Sequence, residues 1–559
     1  MKKFIALILA AALVFSMAAC GGQNKTDAPD ESKPDQSSVE PSQSGGKKED
    51  VTLTIGIPVN ALVDDYDTNA FTEWLEDQTG YNLEFVLFQS AEPDYKSQLS
   101  TSAASGDRLP DILWNFNLGD DVYKEYGEQG YFINVADMLY DREKSANFWN
   151  SFEKLDPEFQ ESIMRRITEE DGSIYVLPRI EETEIDIIDY MVVINQSWLD
   201  KLGLAMPTDP DSLYNVLKAF KTQDPNGNGR ADEVPLVGCS GWGGRDVTDW
   251  IINMFTYHDS IMVLNKDENG KLYAPQVTDE YRQAVIYLNK LVSEGLLSSA
   301  CWTISNTDMR ALINPVQGMD QTVGIWIGHP TIMLEQNHPG VSDWAAMPIW
   351  GYEVINENAN TRTCFITEDC RNVDAAWNLL MTMYSEDGAR RMRYGEEGTD
   401  WVYADPGTKS FLGYDAEIKL INDAFARKGN ECWKVVDATI LRNAENETNQ
   451  LSDDMSDWTK TKMALMKDVH DIAWERHAND GHEKYARSVI VMSTEQEESI
   501  KDIRANCVSW MESCLATFAC GMGTYNDPKN DQQWKSYLNE LNKMDLQVWI
   551  DTMQEAMDQ

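Results

Sequence analysis

Asp224-Pro225-Asn226-Gly227-Asn228-Gly229-Arg230-Ala231-Asp232-Glu233 has the narrowest reading of any stretch in this chain. Asp224, Asn226 and Asn228 alternate, so a tight loop turns three side-chain oxygens inward, and Gly229 permits the bend that follows. The Arg230 carbonyl then points back, and Asp232 and Glu233 add two carboxylates. Hard oxygen donors in that number suit Ca²⁺ better than Mg²⁺ or a transition metal. The spacing follows the opening half of an EF-hand loop, but Pro235 stands at position twelve, where that loop has glutamate. Asp232 and Glu233 are the expected substitutes for the missing bidentate ligand. The competing reading is a solvated Asn-Gly turn with acids nearby. Five oxygen-bearing side chains at this spacing favour a structural calcium held by Asp224, Asn226, Asn228, the Arg230 carbonyl, Asp232 and Glu233.

Working outward, strands alternate with helices. Val51 to Ile57, Leu83 to Phe88, and Ile112 to Trp114 after the Ser105-Gly106-Asp107 turn read as strands. Met191 to Ile194 is another; Trp198, Leu199 and Leu202 then recur at helical spacing until Gly203 stops the helix. Val323 to Ile327 and Ala345 to Ile349 are apolar runs of strand length. Asn372 to Tyr384 is an amphipathic helix, and Trp534, Tyr537, Leu538 and Leu541 form a core stripe. Such alternation predicts α/β lobes. With 559 residues the chain is too long for one small core, so two lobes are expected.

The N-terminus has its own logic. Lys2 and Lys3 precede an apolar run from Phe4 to Phe15, and Ser16-Met17-Ala18-Ala19-Cys20 follows. That is a secretory leader over residues 1–20, too short to span a bilayer. A cysteine after two alanines resembles a bacterial lipobox, with Met17 where leucine is usual, so Cys20 is the expected lipidation site, carrying acyl chains such as palmitate. Two such chains hold firmly, at about 0.8 kcal/mol per buried methylene. Residues 21–50 contain Val39 as their one large aliphatic side chain and read as a disordered tether. The expected location is therefore the extracellular face of the cell membrane.

The formal net charge of −46 excludes a nucleic-acid-binding surface and disfavours a strongly anionic ligand. Arg390, Arg391 and Arg393 read as a helix C-terminus complementing its dipole. No two of the nine cysteines have C-x-x-C spacing. Cys364 and Cys370 either close a loop as a disulfide or remain apolar thiols. His470, His477 and His482 read as solvated.

These features resemble a known family. Ser105-Gly106-Asp107-x-x-Pro110-Asp111, Asn195-x-x-Trp198-Leu199-Asp200-Lys201-Leu202-Gly203-Leu204, the 224–233 loop, Gly395-Glu396-Glu397-Gly398-Thr399-Asp400-Trp401, and Trp534-x-x-Tyr537 with its Gln554-Glu555-Ala556 tail carry the likeness. Together they resemble the lipoprotein branch of extracellular solute-binding protein family 1, which serves ABC importers and includes alginate-oligosaccharide-binding proteins. The resemblance implies a two-lobed type II periplasmic-binding fold that closes on ligand between lobes, with calcium in the same loop. Residues 51–188 plus 345–385 are the expected first lobe, and 189–344 plus 386–559 the second.

With 18 Trp and 22 Tyr the chain is rich in rings that stack on sugars. Trp114, Trp242, Trp326 and Trp401 lie at strand ends or in loops, so they are the expected cleft residues, with Arg245 and Asp246 as polar partners. The expected function is binding of an oligosaccharide, neutral by the charge argument, for an ABC permease by a monomer. The alternatives are a surface-anchored glycoside hydrolase and a peptide-binding or sensory receptor of the same fold. No G-x-S-x-G, H-E-x-x-H or P-loop motif supports an enzyme.

Overall fold

The computed structural model describes residues 51–181, 191–239, 247–258, 264–267, 269–316, 318–335, 338–348, 360–411, 413, 415–422, 428–433, 439–441, 450–451, 456–480, 490 and 492–558. The leader, Cys20 and the tether lie outside them. The strands, in chain order, are β1 (Thr52–Pro58), β2 (Asn82–Phe88), β3 (Ile112–Trp114), β4 (Leu177–Glu181) and β5 (Val192–Asn195). Next come β6 (Val234–Val237), β7 (Asn265–Lys266), β8 (Leu272–Tyr273), β9 (Val323–Ile327) and β10 (Trp344–Ala346). The last are β11 (Asn360–Ile366), β12 (Trp401–Tyr403), β13 (Ile418–Leu420), β14 (Ile440–Leu441) and β15 (Gln450–Leu451).

Two large sheets organise the body. One runs β14-β4-β11-β3-β1-β2, with β1 parallel to both neighbours and β11 antiparallel to both of its own. The other runs β10-β5-β9-β6, with β6 parallel to β9 and β5 antiparallel to β9. All five residues of β9 are buried, as expected of a central strand covered on both faces. Each sheet builds its own hydrophobic core, and a small third cluster of Tyr394, Trp401, Ile418 and Leu420 packs on the β12-β13-β15 sheet.

The chain passes from the first core to the second between Ile180 and Met191, returns between Met347 and Cys364, and passes again between Ile440 and Leu465. The expected lobe boundaries shift accordingly. Ala345 and Ala346 pair with β5, as Trp344 does, so they pack with the second core and not the first. Met392, Trp433 and Ile440 join the first core, and β14 pairs with β4, so these parts of the expected second-lobe stretch pack with the first core, whereas Phe411 packs against the second. Trp433 explains the pull: its ring meets Tyr66, Phe71 and Phe85 edge-on at 5.1–6.4 Å, and its Nε1 donates to Thr72.

Local signals behaved as the residues dictate. Asn195 caps the helix Gln196–Leu202 by accepting from the Trp198 N–H, and Gly203 ends it at φ +66°. Asn372 caps Val373–Met383, whose inward face includes Ala375, Ala376, Leu379, Leu380 and Met383. Trp198, Trp377 and Trp534 are core residues, as their periodicity predicts. Among the described residues no helix is long and apolar enough to cross a membrane. All eight body cysteines are free thiols, Cys364 and Cys370 included, and burial pushes both thiols up. His470 is buried beside Asp471, not solvated as expected, because its helix packs against the second core.

Candidate functional site

The 224–233 loop is placed by the helix before it and the strand after it. Asp209 accepts from the Ser212 N–H in a capping box that starts the helix Pro210–Thr222. Leu213, Val216, Leu217 and Phe220 bury one face of this helix, fixing where it ends. Asp224 then turns at φ +46°, Gly227 at +78° and Gly229 at +73°, and the chain enters β6 at Val234. Only a tight coil of main chain needs three such turns in six residues.

Inside the coil the side-chain oxygens accept from the loop's own N–H groups. Asp224 Oδ1 accepts from the N–H groups of Gly227 (3.0 Å) and Asn228 (3.1 Å), and Oδ2 from Gly229 (3.0 Å). Asn226 Oδ1 accepts from Asn228 N–H, and Asn228 Oδ1 from Arg230 N–H at 2.8 Å. The amide Nδ2 atoms of Asn226 and Asn228 both lie 3.2–3.3 Å from the Asp232 carboxylate and donate to it. Those bonds, from Asn228 first and Asn226 next, hold the Asp232 carboxyl below its usual value.

Glu233 Oε1 is buried without a hydrogen-bond partner. Burial, then the charges of Asp232 and Asp224, push its carboxyl above the usual value. A divalent cation removes that penalty, and the donor set of carboxylate, amide and carbonyl oxygen is the one calcium prefers. Among the described residues no three His, Cys, Asp or Glu side chains form a metal site by themselves, so such a cation depends on the Asn and main-chain oxygens too. The residues present fit calcium.

Two partners of the loop went unread in the sequence. Lys201 Nζ donates to the Pro225 carbonyl, and Asp320 accepts from Asn228 and Arg230. Asp320 lies 92 residues beyond Asn228, and no spacing signal connects them.

The expected cleft residues divide. Trp242, Arg245 and Asp246 lie outside the described residues. Trp114, Trp326 and Trp401 are 4%, 0% and 0% exposed and sit in three different hydrophobic clusters, so the structure does not bring them together. Trp326 packs edge-on against Trp344, and Trp401 Nε1 donates to the Gly395 carbonyl at 3.1 Å. A ring held this way offers no free face to a sugar. This corrects the expectation: a tryptophan at a strand end beside glycine still faces inward when its strand is covered. Tyr403 carries the exposed ring of β12, 58% accessible, with Trp401 packed edge-on behind it. The Arg390 guanidinium, paired with Glu417 at 3.1 Å, lies 5.7 Å from its ring. Arg391 and Arg393 lie in the last helical turn, as a dipole-complementing cluster should.

No protein-family model matches the chain. Over 329 residues it is 30% identical to the fructooligosaccharide ABC transporter substrate-binding protein FusA of Streptococcus pneumoniae, a stretch covering 57% of this chain and 56% of that protein. It is also 27% identical over 237 residues to the polygalacturonan/rhamnogalacturonan-binding protein YtcQ of Bacillus subtilis, covering 42% of each. The chain spans about half the length of these curated relatives. Pneumococcal FusA in complex with kestose superposes at TM-score 0.69 and 21% identity, covering 91% of this chain and 99% of that one; its EF-hand mutant with fructo-nystose gives 0.69 and 22% over the same shares. An extracellular solute-binding protein of Bifidobacterium longum subsp. infantis gives 0.70 and 22%, covering 92% and 99%. The fold is thus the α/β, two-lobed solute-binding fold.

Proposed function

We propose that this protein is the substrate-binding component of an ABC importer, binding an oligosaccharide between its two lobes on the outer face of the membrane. The observation that carries this reading is the pair of separate α/β cores, joined by repeated chain passages, in a fold shared over 91% of the chain with a FusA–kestose complex. Lobes with separate cores move as units, and ligand shifts them toward the closed form through contacts made better there. The acidic balance of −46 favours a neutral sugar over a polyanion such as alginate.

In open α/β sheets ligands sit beyond the carboxyl ends of strands. Trp242, Arg245 and Asp246 follow β6, and with its exposed ring Tyr403 joins them as a proposed contact. Trp114 and Trp326, at or near the carboxyl ends of β3 and β9, are each packed into the core of their own sheet. The 224–233 loop holds calcium, which neutralises its carboxylates and stabilises the lobe without chemistry. Cys20 carries the lipid that anchors the chain.

The test is a thermal-shift and calorimetric titration of the protein with kestose, fructo-nystose, neutral glycans, alginate fragments and peptides. A neutral oligosaccharide at a hundredfold excess over Kd should stabilise the fold by about 2.7 kcal/mol. Stabilisation by peptides alone, or hydrolysis of the sugar during titration, refutes the reading.

A further inference from the structure

The loop is bound to a second segment that its own sequence does not announce. Asp320 Oδ2 accepts from Asn228 Nδ2 at 3.3 Å and from Arg230 Nη2 at 3.2 Å. Arg230 Nε lies 3.3 Å from Asp232 Oδ2, so one guanidinium bridges the two carboxylates. Beside this contact Asn226 Nδ2 donates to the Gln321 carbonyl at 3.2 Å, and the Val234 N–H to the Thr322 carbonyl at 2.7 Å, where β6 begins to pair with β9. The receiving segment is stiff: Gln321 Oε1 accepts from the N–H groups of Thr322 and Val323, and its Nε2 donates to the Ile313 carbonyl.

We infer that Asp320 is a positioning residue of the calcium loop, orienting Asn228 and Arg230 from outside it and coupling ion binding to the lead-in of β9. The inference rests on the calcium reading above. Asn228 Nδ2 is shared between Asp232 and Asp320. Once a cation engages the Asp232 oxygens, Asp320 is the acceptor left to that N–H, which keeps Asn228 Oδ1 turned inward. The Arg230 side chain, tied to the same carboxylate, restrains the peptide whose carbonyl is a calcium donor. Such outer partners fix ligand orientation, and their loss weakens metal affinity by roughly 10–100-fold. Asp320 and Arg230 are 47% and 65% exposed, and an ion pair that open contributes little to stability by itself.

The experiment is calcium titration calorimetry of the full-length protein and its Asp320→Ala and Asp320→Glu variants, after chelator treatment, with melting curves in chelator. Hydrogen exchange of residues 313–323 is followed with and without calcium. Asp320→Ala should weaken calcium binding roughly tenfold with an unchanged metal-free melting temperature, Asp320→Glu should recover part of the loss, and calcium should protect 313–323 in the parent more than in the alanine variant. Unchanged calcium affinity in Asp320→Ala overturns the inference, whether or not the metal-free melting temperature falls. A parent protein that binds no calcium overturns the calcium reading and this inference with it.

Discussion

The Lys201 ammonium lies 2.6 Å from the Pro225 carbonyl oxygen. The contact joins the helix Gln196–Leu202 to the 224–233 loop, the two stretches with the most specific sequence signal. Gly227, beside this contact, sits at φ +78°, where side chains are strained, and that backbone conformation is what favours glycine there. The lysine thus holds the loop's entry, and Asp320 holds its middle.

Removing calcium should lower the melting temperature, by the linkage RT ln(1 + [Ca²⁺]/Kd). Asp224→Ala, which removes the carboxylate accepting from Gly227, Asn228 and Gly229, should abolish that sensitivity. An identical curve for the parent with and without chelator, with no metal found by elemental analysis, would restore the plain Asn-Gly turn.

Trp401→Ala should destabilise the ligand-free protein by about 3–5 kcal/mol, since it empties a fully buried ring site. Tyr403→Ala, on the same strand but 58% exposed, should change stability by about 0.5 kcal/mol or less and weaken oligosaccharide binding. Chemical denaturation and calorimetry read the two effects separately. Equal destabilisation by both would remove Tyr403 from the proposed site.

Asp209 gives a pH prediction with a definite sign. Its carboxylate accepts from the backbone N–H of Ser212, and this bond holds its pKa below the usual value in the folded chain. A depressed folded value means stability present above the unfolded pKa of about 3.9 and lost as pH falls through the folded one. Asp209→Ala should therefore lower the melting temperature at pH 7, with the deficit shrinking below about pH 4. A deficit that stays constant into strong acid would show that the cap acts by shape and not by charge.

Cys20→Ser should abolish acyl labelling and move the protein to the soluble fraction. Retention at the membrane would refute Cys20 as the anchor.

Much of the local structure was legible. β9 spans Val323–Ile327 as its apolar run predicts, and Gly203 ends its helix because a left-handed turn there favours glycine. The coil of the 224–233 loop was legible too, since alternating short polar side chains bond their own following N–H groups. Burial of the tryptophans outside helical stripes was not. Trp114 and Trp401 look alike in sequence to a ring at a cleft edge, but each is buried in a different hydrophobic cluster, Trp114 with the first sheet and Trp401 with Tyr394, Ile418 and Leu420.

By itself the sequence determined what depends on neighbours a few residues apart: helix caps, strand runs, the oxygen-rich loop, and the acidic balance that disfavours anionic ligands. Tertiary structure decided what depends on distant chain: the return of Trp433 and β14 to the first core, the pairing of Ala345 and Ala346 with the second sheet, and the seating of Asp320 against the loop. The reason is physical. Local bonds form between atoms the backbone already holds close, whereas which lobe claims a segment depends on strand pairing and burial summed over residues hundreds apart, such as Thr72 with Trp433.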